Sequence, residues 1–313
     1  MTLVSGHGGI GRRAGFRFQW ETVQVQVLLA ADMRNAERIQ HSFFCENTIA
    51  KDCPGMQNRS MMNMNTWPDV KVYMASAGCL EDEEVFRGWL EHVPAMRREK
   101  ALRPKNPEVR KLSLAAGALL TCSLADYVQG VRQMQGETDL PGDDLRQIEI
   151  AENEHGKPYL PGYPKIHFSL SHSGDRVMCA VSQTKVGCDV EETGDTEADI
   201  RRIGYIARCL TESERKLALA DPADFYRIWT LKESFVKLTG QGLLIPLSSF
   251  EITLDPTTVR QEYISADIEL KEYGQIDGYQ YSCMALQGHM ADEMICVDLR
   301  EALIKIQTGG GEV

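Results

Sequence analysis

No excess of positive charge, no long apolar run and no paired-cysteine motif occur in this sequence, and each absence closes off a class of function. Lysine and arginine number 34 against 45 aspartates and glutamates, a net charge of -11. So acidic a chain is not built to coat a polyanion, which excludes broad nucleic-acid binding and leaves only local basic patches to be read. The apolar run Val27-Leu28-Leu29-Ala30-Ala31 follows glutamines and is far too short to cross a bilayer. We therefore expect no membrane span and no secretory signal. The nine cysteines never fall at C-x-x-C spacing, and their odd number leaves at least one unpaired. Reduced thiols in a cytoplasm follow as the expectation, and the zinc reading fails.

What is present is core-forming material, 43% hydrophobic over 313 residues, enough for one large domain or two smaller ones. Its charge is segregated. Arg97, Arg98, Lys100, Arg103, Lys105, Arg110 and Lys111 crowd one stretch against only Glu99 and Glu108. Asp189, Glu191, Glu192, Asp195, Glu197 and Asp199 crowd another with no basic residue among them. Such islands suit a polyanionic ligand at one place and a cation at another, or two solvated surfaces.

Residues 1–68 stand apart. They hold six of the thirteen methionines, and their Gly6-His7-Gly8-Gly9-Ile10-Gly11 fits a dinucleotide fingerprint without the alternating strands and helices that such a fold needs. A poorly ordered extension is expected. From Asp69 the chain becomes regular. Val70 to Ala75 reads as a strand, Leu80 to Glu91 as helix, and Glu108 to Tyr127 as a long helix opened by Pro107. Gly130 to Gly142 reads as loop, Gln147 to Ala151 as a short strand, and Gly156-Lys157-Pro158 as a turn. His167 to Gly174 is a strand ending in Ser171, His172 and Ser173, a cradle for a phosphate or ribose; a catalytic serine would need an elbow and a third group that are not readable here.

In Val186-Gly187-Cys188-Asp189-Val190-Glu191 the strand period sends Gly187, Asp189 and Glu191 to one face. Two carboxylates there repel unless a cation lies between them, and carboxylates with phosphate oxygens suit Mg²⁺. The bare Gly187 leaves room on that face for a ligand. Phe225 to Gly240 reads as a helix stopped by glycine, with Ile228, Leu231, Phe235 and Leu238 on its core stripe. Trp229, Glu233 and Lys237, four apart, form a second stripe.

The strand motif Gly187 to Glu191, followed roughly forty residues later by Trp229-Thr230-Leu231-Lys232-Glu233-Ser234-Phe235-Val236-Lys237, resembles the paired signature of the 4'-phosphopantetheinyl transferases of the surfactin-synthetase-activating (Sfp) type. Gly156-Lys157-Pro158 and Phe168 to Gly174 follow the family's order, and the resemblance covers Asp69 to Leu303. It implies transfer of phosphopantetheine from coenzyme A to a serine of an apo acyl or peptidyl carrier protein, with release of 3',5'-ADP. It implies Asp189, Glu191, Glu233 and Glu214 as magnesium carboxylates, and Glu233 as base for the carrier serine as well. Lys237 is implied as the lysine facing the pyrophosphate. His172, Ser171, Lys157 and one or more of Arg97, Arg98 and Lys100 are implied around coenzyme A.

The fold implied is α+β, two pseudo-symmetric halves, residues 69–182 and 183–305, each an antiparallel sheet on a long helix with the site in the cleft between them. The second sheet would be completed by Phe250 to Leu254, Tyr279 to Leu286 and Met294 to Leu299, and 306–313 would form a flexible tail. Two halves in one chain imply a monomer rather than the trimer of a small holo-carrier synthase. A non-catalytic coenzyme A or carrier-binding module would not need the acids at Asp189, Glu191 and Glu233.

Overall fold

The computed structural model describes residues 69–135 and 144–308. The expected extension, its glycine motif and residues 309–313 lie outside the described residues. The chain begins with β1 (Val70–Ser76), followed by α1 (Glu83–His92), α2 (Ala95–Leu102) and α3 (Pro107–Gln135). A small hairpin, β2 (Ala151–Glu152) and β3 (Pro158–Tyr159), leads to β4 (His167–Ser173), β5 (Arg176–Ser182) and β6 (Val186–Glu192). Then come α4 (Glu197–Ile206), α5 (Glu212–Ala220) and α6 (Pro222–Thr239). The last elements are β7 (Glu251–Thr253), β8 (Thr258–Arg260), β9 (Ile268–Ile276), β10 (Tyr279–Leu286), β11 (Ile295–Cys296) and α7 (Leu299–Thr308).

Two principal sheets result, ordered β11-β1-β5-β4 and β6-β10-β9, and helix and sheet are mixed in an α+β architecture. Strand alternation divides their side chains into three cores. Tyr73, Ala75, Val177, Cys179, Phe168 and Leu170 face α3 and join the first core. Val70, Val72, Met74, Met178 and Ala180 turn the other way and meet Val186, Cys188, Val190, Tyr281 and Cys283 of the second sheet. Met284 of β10 joins Ile228, Leu231, Phe235 and Leu238 of α6 in another core. Each sheet therefore has both faces covered, which is why β10 is buried almost end to end, its polar Gln280 and Ser282 included.

Within α3, Pro107–Met134 is long and apolar enough to cross a membrane, but 83% of its most apolar window is buried, as befits a helix inside a core. It runs further than expected, through Gly130. Burial of Val128 and Val131 outweighs the helical penalty of one glycine, about 1 kcal/mol. Of the strand expected over Gln147 to Ala151, Gln147 instead ends a 3-10 turn, Leu145–Gln147, and only Ala151 lies in a strand, β2.

The largest departure is at the C-terminal side. Of the three segments expected in the second sheet, only Tyr279 to Leu286 is there. β7 pairs with β8 alone, and β11 returns to the first sheet, parallel to β1 through Tyr73↔Ile295 and Met74↔Cys296. The strand that completes the second sheet is β9, whose mixed polarity hid it. α7 then packs Leu299, Ala302 and Leu303 into the first core, and its turns carry residues expected as tail through Thr308.

Candidate active site

α6 is set by its ends and its burial. Asp221 caps the first turn by accepting from Ala223 N, Pro222 opens it, and Gly240 closes it at φ 74°. The helix lies directly on β6. A Cβ at Gly187 would stand 2.1 Å from Ser234 O and 2.3 Å from Leu238 N. Gly187 thus makes room for the backbone of α6, not for a ligand, which corrects the expectation drawn from its missing side chain.

That close approach sets two ladders against each other. Helical steps of four residues rise about 6 Å, and strand steps of two rise about 6.7 Å. At one end Lys237 Nζ donates to Asp189 Oδ1 at 2.7 Å, and at the other Trp229 Nε1 donates to Glu191 Oε1 at 3.0 Å. Glu233 is the rung between them. From the opposite side β4 adds Ser171 Oγ, donating to Asp189 Oδ1 at 2.7 Å, and Ser173 Oγ, donating to Glu191 Oε2 at 3.2 Å. Arg202 of α4 reaches the same Glu191 oxygen at 3.3 Å. Trp229 is held in turn by stacking on Phe225, with ring centroids 6.0 Å apart.

The three carboxylates differ in what is left over. Both oxygens of Glu191 are engaged. Asp189 Oδ2 and Glu233 Oε1 are buried and have no hydrogen-bond partner. Burial, then the neighbouring Asp189 charge, pushes the Glu191 carboxyl up to about 7, against the pull of Arg202 and Trp229. Burial followed by the charges of Asp189 and Glu191 pushes Glu233 up to about 8, with Lys237 opposing. Asp189 is also raised, by burial above all, while Lys237 and Ser171 draw it down. Burial works against the Lys237 ammonium, but Asp189, Cys188 and Glu233 together leave it raised.

The site therefore gathers Asp189, Glu191, Glu233, Lys237 and Ser171. Glu214 is not brought to it. That residue is fully buried on α5, where Oε1 takes Lys232 Nζ at 2.8 Å and Ile252 N at 2.6 Å, and Oε2 accepts from Thr211 N at 2.9 Å as half of a capping box. Every oxygen has a structural partner, so the expected metal role does not fit its surroundings.

Lys157 Nζ, expected at coenzyme A, instead donates to Val186 O at 2.9 Å and Lys237 O at 2.5 Å. The basic residues of α2 are split. Arg97 is buried and donates to Ser113 O at 2.9 Å, Lys100 is buried with its ammonium 3.7 Å from Glu152, and Arg98 is exposed and bonded to Leu90 O. His172 is half-buried and by alternation lies on the face of β4 opposite Ser171 and Ser173. Sequence reasoning did not single out Arg202, which follows the acidic island as one of an ordinary Arg201-Arg202 pair, and only the fold-back of α4 selects it.

A sequence profile described as the 4'-phosphopantetheinyl transferase superfamily matches residues 185–283, which include β6, α6 and the first part of β10. The 4'-phosphopantetheinyl transferase Sfp of Bacillus subtilis (strain 168) is 30% identical over 168 residues, 51% of this chain and 73% of that protein. The 4'-phosphopantetheinyl transferase ffp of Bacillus subtilis is 31% identical over 180 residues, 56% of this chain and 72% of that protein. Another Bacillus subtilis 4'-phosphopantetheinyl transferase is 36% identical over 113 residues, and there the match spans 36% of this chain and half of the relative. The chain belongs to the 4'-phosphopantetheinyl transferase family of the Sfp type.

Proposed function

We propose that the chain transfers the 4'-phosphopantetheine group of coenzyme A to a serine hydroxyl of an apo acyl or peptidyl carrier protein, with Mg²⁺ present and 3',5'-ADP released. The observation that carries the proposal is the pair of buried, unpartnered carboxylate oxygens, Asp189 Oδ2 and Glu233 Oε1, in one group with the Lys237 ammonium. Among the described residues no three acidic, histidine or cysteine side chains form a ready-made metal cage. Magnesium does not ask for one, because it keeps waters and uses one or two carboxylates together with substrate phosphates. Asp189 and Glu233 would hold it, with Glu191 beside them held by Trp229, Ser173 and Arg202. When bound, the ion would neutralise charge on the pyrophosphate oxygens of coenzyme A.

The protein's own groups do the rest. Lys237, buried and fixed by Asp189, presents a cation where charge grows as the pyrophosphate bond breaks. Glu233, whose Oε1 has no hydrogen-bond partner, is the carboxylate left free to accept the serine proton once it is ionised beside Lys237. The carboxylates and the lysine all come from one chain, which supports a monomer as the working unit, and we place it in the cytoplasm on its cysteine pattern. The two halves with a cleft between them belong to the same proposal, supported by the separate cores behind the two sheets.

The test is to incubate the protein with coenzyme A, Mg²⁺ and a panel of apo carriers and to weigh the carriers. One added phosphopantetheine on any carrier supports the reading. Coenzyme A binding with no carrier gaining mass would leave a binding module instead.

A further inference from the structure

We infer that Lys157 is a positioning residue that fixes the catalytic end of α6, rather than a ligand of coenzyme A. The last four carbonyls of a helix have no partner within it. In α6 the final regular bond is Gly240 N to Val236 O, so Lys237 O is left over one residue further on. Lys157 reaches that carbonyl at 2.5 Å and spans to Val186 O, the first residue of β6, at 2.9 Å. One ammonium thus joins the carbonyl of Lys237 to the strand that carries Asp189. When protonated it also complements the negative end of the helix dipole, although burial pulls the Lys157 ammonium down to about 7.

The approach is built. Asn153 Oδ1 accepts from His155 N at 3.0 Å and Lys157 N at 2.8 Å, which shapes the turn, and Asn153 Nδ2 donates to Gly240 O at 3.0 Å. Gly240 admits the lysine stem, since a Cβ there would meet Lys157 Cδ at 3.2 Å and Asn153 Nδ2 at 3.5 Å. The turn is flanked by Ile150 and Leu160, which are anchored in the first core. A strap from the first core therefore closes over the C-terminal turn of α6, and two of the three ammonium protons are spent on backbone carbonyls.

The inference rests on the transferase reading for the task of Lys237, and the experiment separates the two. Lys157→Met keeps the apolar stem and removes the donors; Asn153→Asp keeps the turn-shaping oxygen and removes the bond to Gly240. Hydrogen exchange of the amides of residues 236–241 and steady-state transfer with coenzyme A and dephospho-coenzyme A are measured for both. The expected result for Lys157→Met is exchange about tenfold faster in that turn and turnover lower by about ten- to hundredfold. The Michaelis constant for coenzyme A and the preference over dephospho-coenzyme A should stay within about twofold. Asn153→Asp should move the same quantities in the same direction by less. Collapse of the preference for coenzyme A would make Lys157 a phosphate ligand and overturn the inference, as would unchanged exchange or unchanged turnover. If Lys157→Met does not fold, Asn153→Asp decides by the same criteria. Wild-type protein that modifies no carrier would sink the transferase reading, while the exchange measurement still decides whether the strap exists.

Discussion

Adding one methyl group at Gly187 should disable the protein. The substituted carbon of Gly187→Ala would lie 2.1 Å from Ser234 O and 2.3 Å from Leu238 N, and both are backbone atoms that no side-chain rotation can remove. To reach an ordinary contact α6 must withdraw from β6 by about 1 Å or more. Lys237 precedes Leu238, so the same movement stretches its 2.7 Å bond to Asp189 past hydrogen-bonding range. Overpacking of this kind costs about 1–3 kcal/mol. The competing term has the opposite sign: Gly187 has no positive φ, and without the clash alanine would stabilise by about 0.4–1 kcal/mol through the unfolded chain. The net expectation is a melting temperature lower by about 2–8 °C. Turnover in carrier modification should fall about a hundredfold, as misplacement of a catalytic group by 1 Å commonly causes. A Gly187→Ala protein that melts at or above the wild-type temperature with normal turnover would refute the account of how α6 and β6 are held.

Asp189→Ala should abolish transfer and also lower stability by about 3 kcal/mol, because it strands the buried Lys237 ammonium; denaturant melts and carrier mass together check both halves. Breaking the buried Glu214–Lys232 pair with Lys232→Met should cost about 3–5 kcal/mol, whereas the double change Glu214→Leu with Lys232→Met should recover most of it, which a double-mutant cycle measures. Because Glu191 and Glu233 keep their protons to about 7 and about 8, far above the unfolded glutamate value, the folded metal-free protein binds more protons than the unfolded chain in that window. Its stability should therefore fall as pH rises from about 5 to about 8, and Mg²⁺ should raise the melting temperature more at the alkaline end of that window. Thermal melts in chelator and in Mg²⁺ decide this, and a metal-free protein that gains stability over the same pH range would contradict it.

The site was legible where the chemistry follows local periodicity. Asp189 and Glu191 are two apart on a strand and Trp229, Glu233 and Lys237 four apart on a helix, so both faces could be written down before any fold was known. What remained hidden depends on distant segments. Glu214 carries the same charge as Glu233, and only the arrival of Lys232 and Ile252 N makes it structural. Lys157 in a turn looks like any solvated lysine until Gly240 opens a path to two carbonyls. Likewise β9 was missed because its intermittent polarity resembles loop, and β11 was assigned to the wrong sheet because two residues in a strand carry no record of their partner.

The return of β11 and α7 to the first sheet bears on the order in which the molecule can be assembled during synthesis. Trp89 at the centre of the first core donates its Nε1 to Leu299 O at 2.9 Å, and Asp69 accepts from His289 N at 2.8 Å, across 210 and 220 residues of sequence. Val70 N and Met74 O find partners in His289 O and Val297 N. β1 and the helices that follow it thus wait for residues made much later before the edge strand is paired and the first core is closed. The second core, contained between Ile203 and Met284, has no such wait. Order in time should therefore run against order in the chain, with α6 packed before the strand that precedes it by more than a hundred residues is sealed.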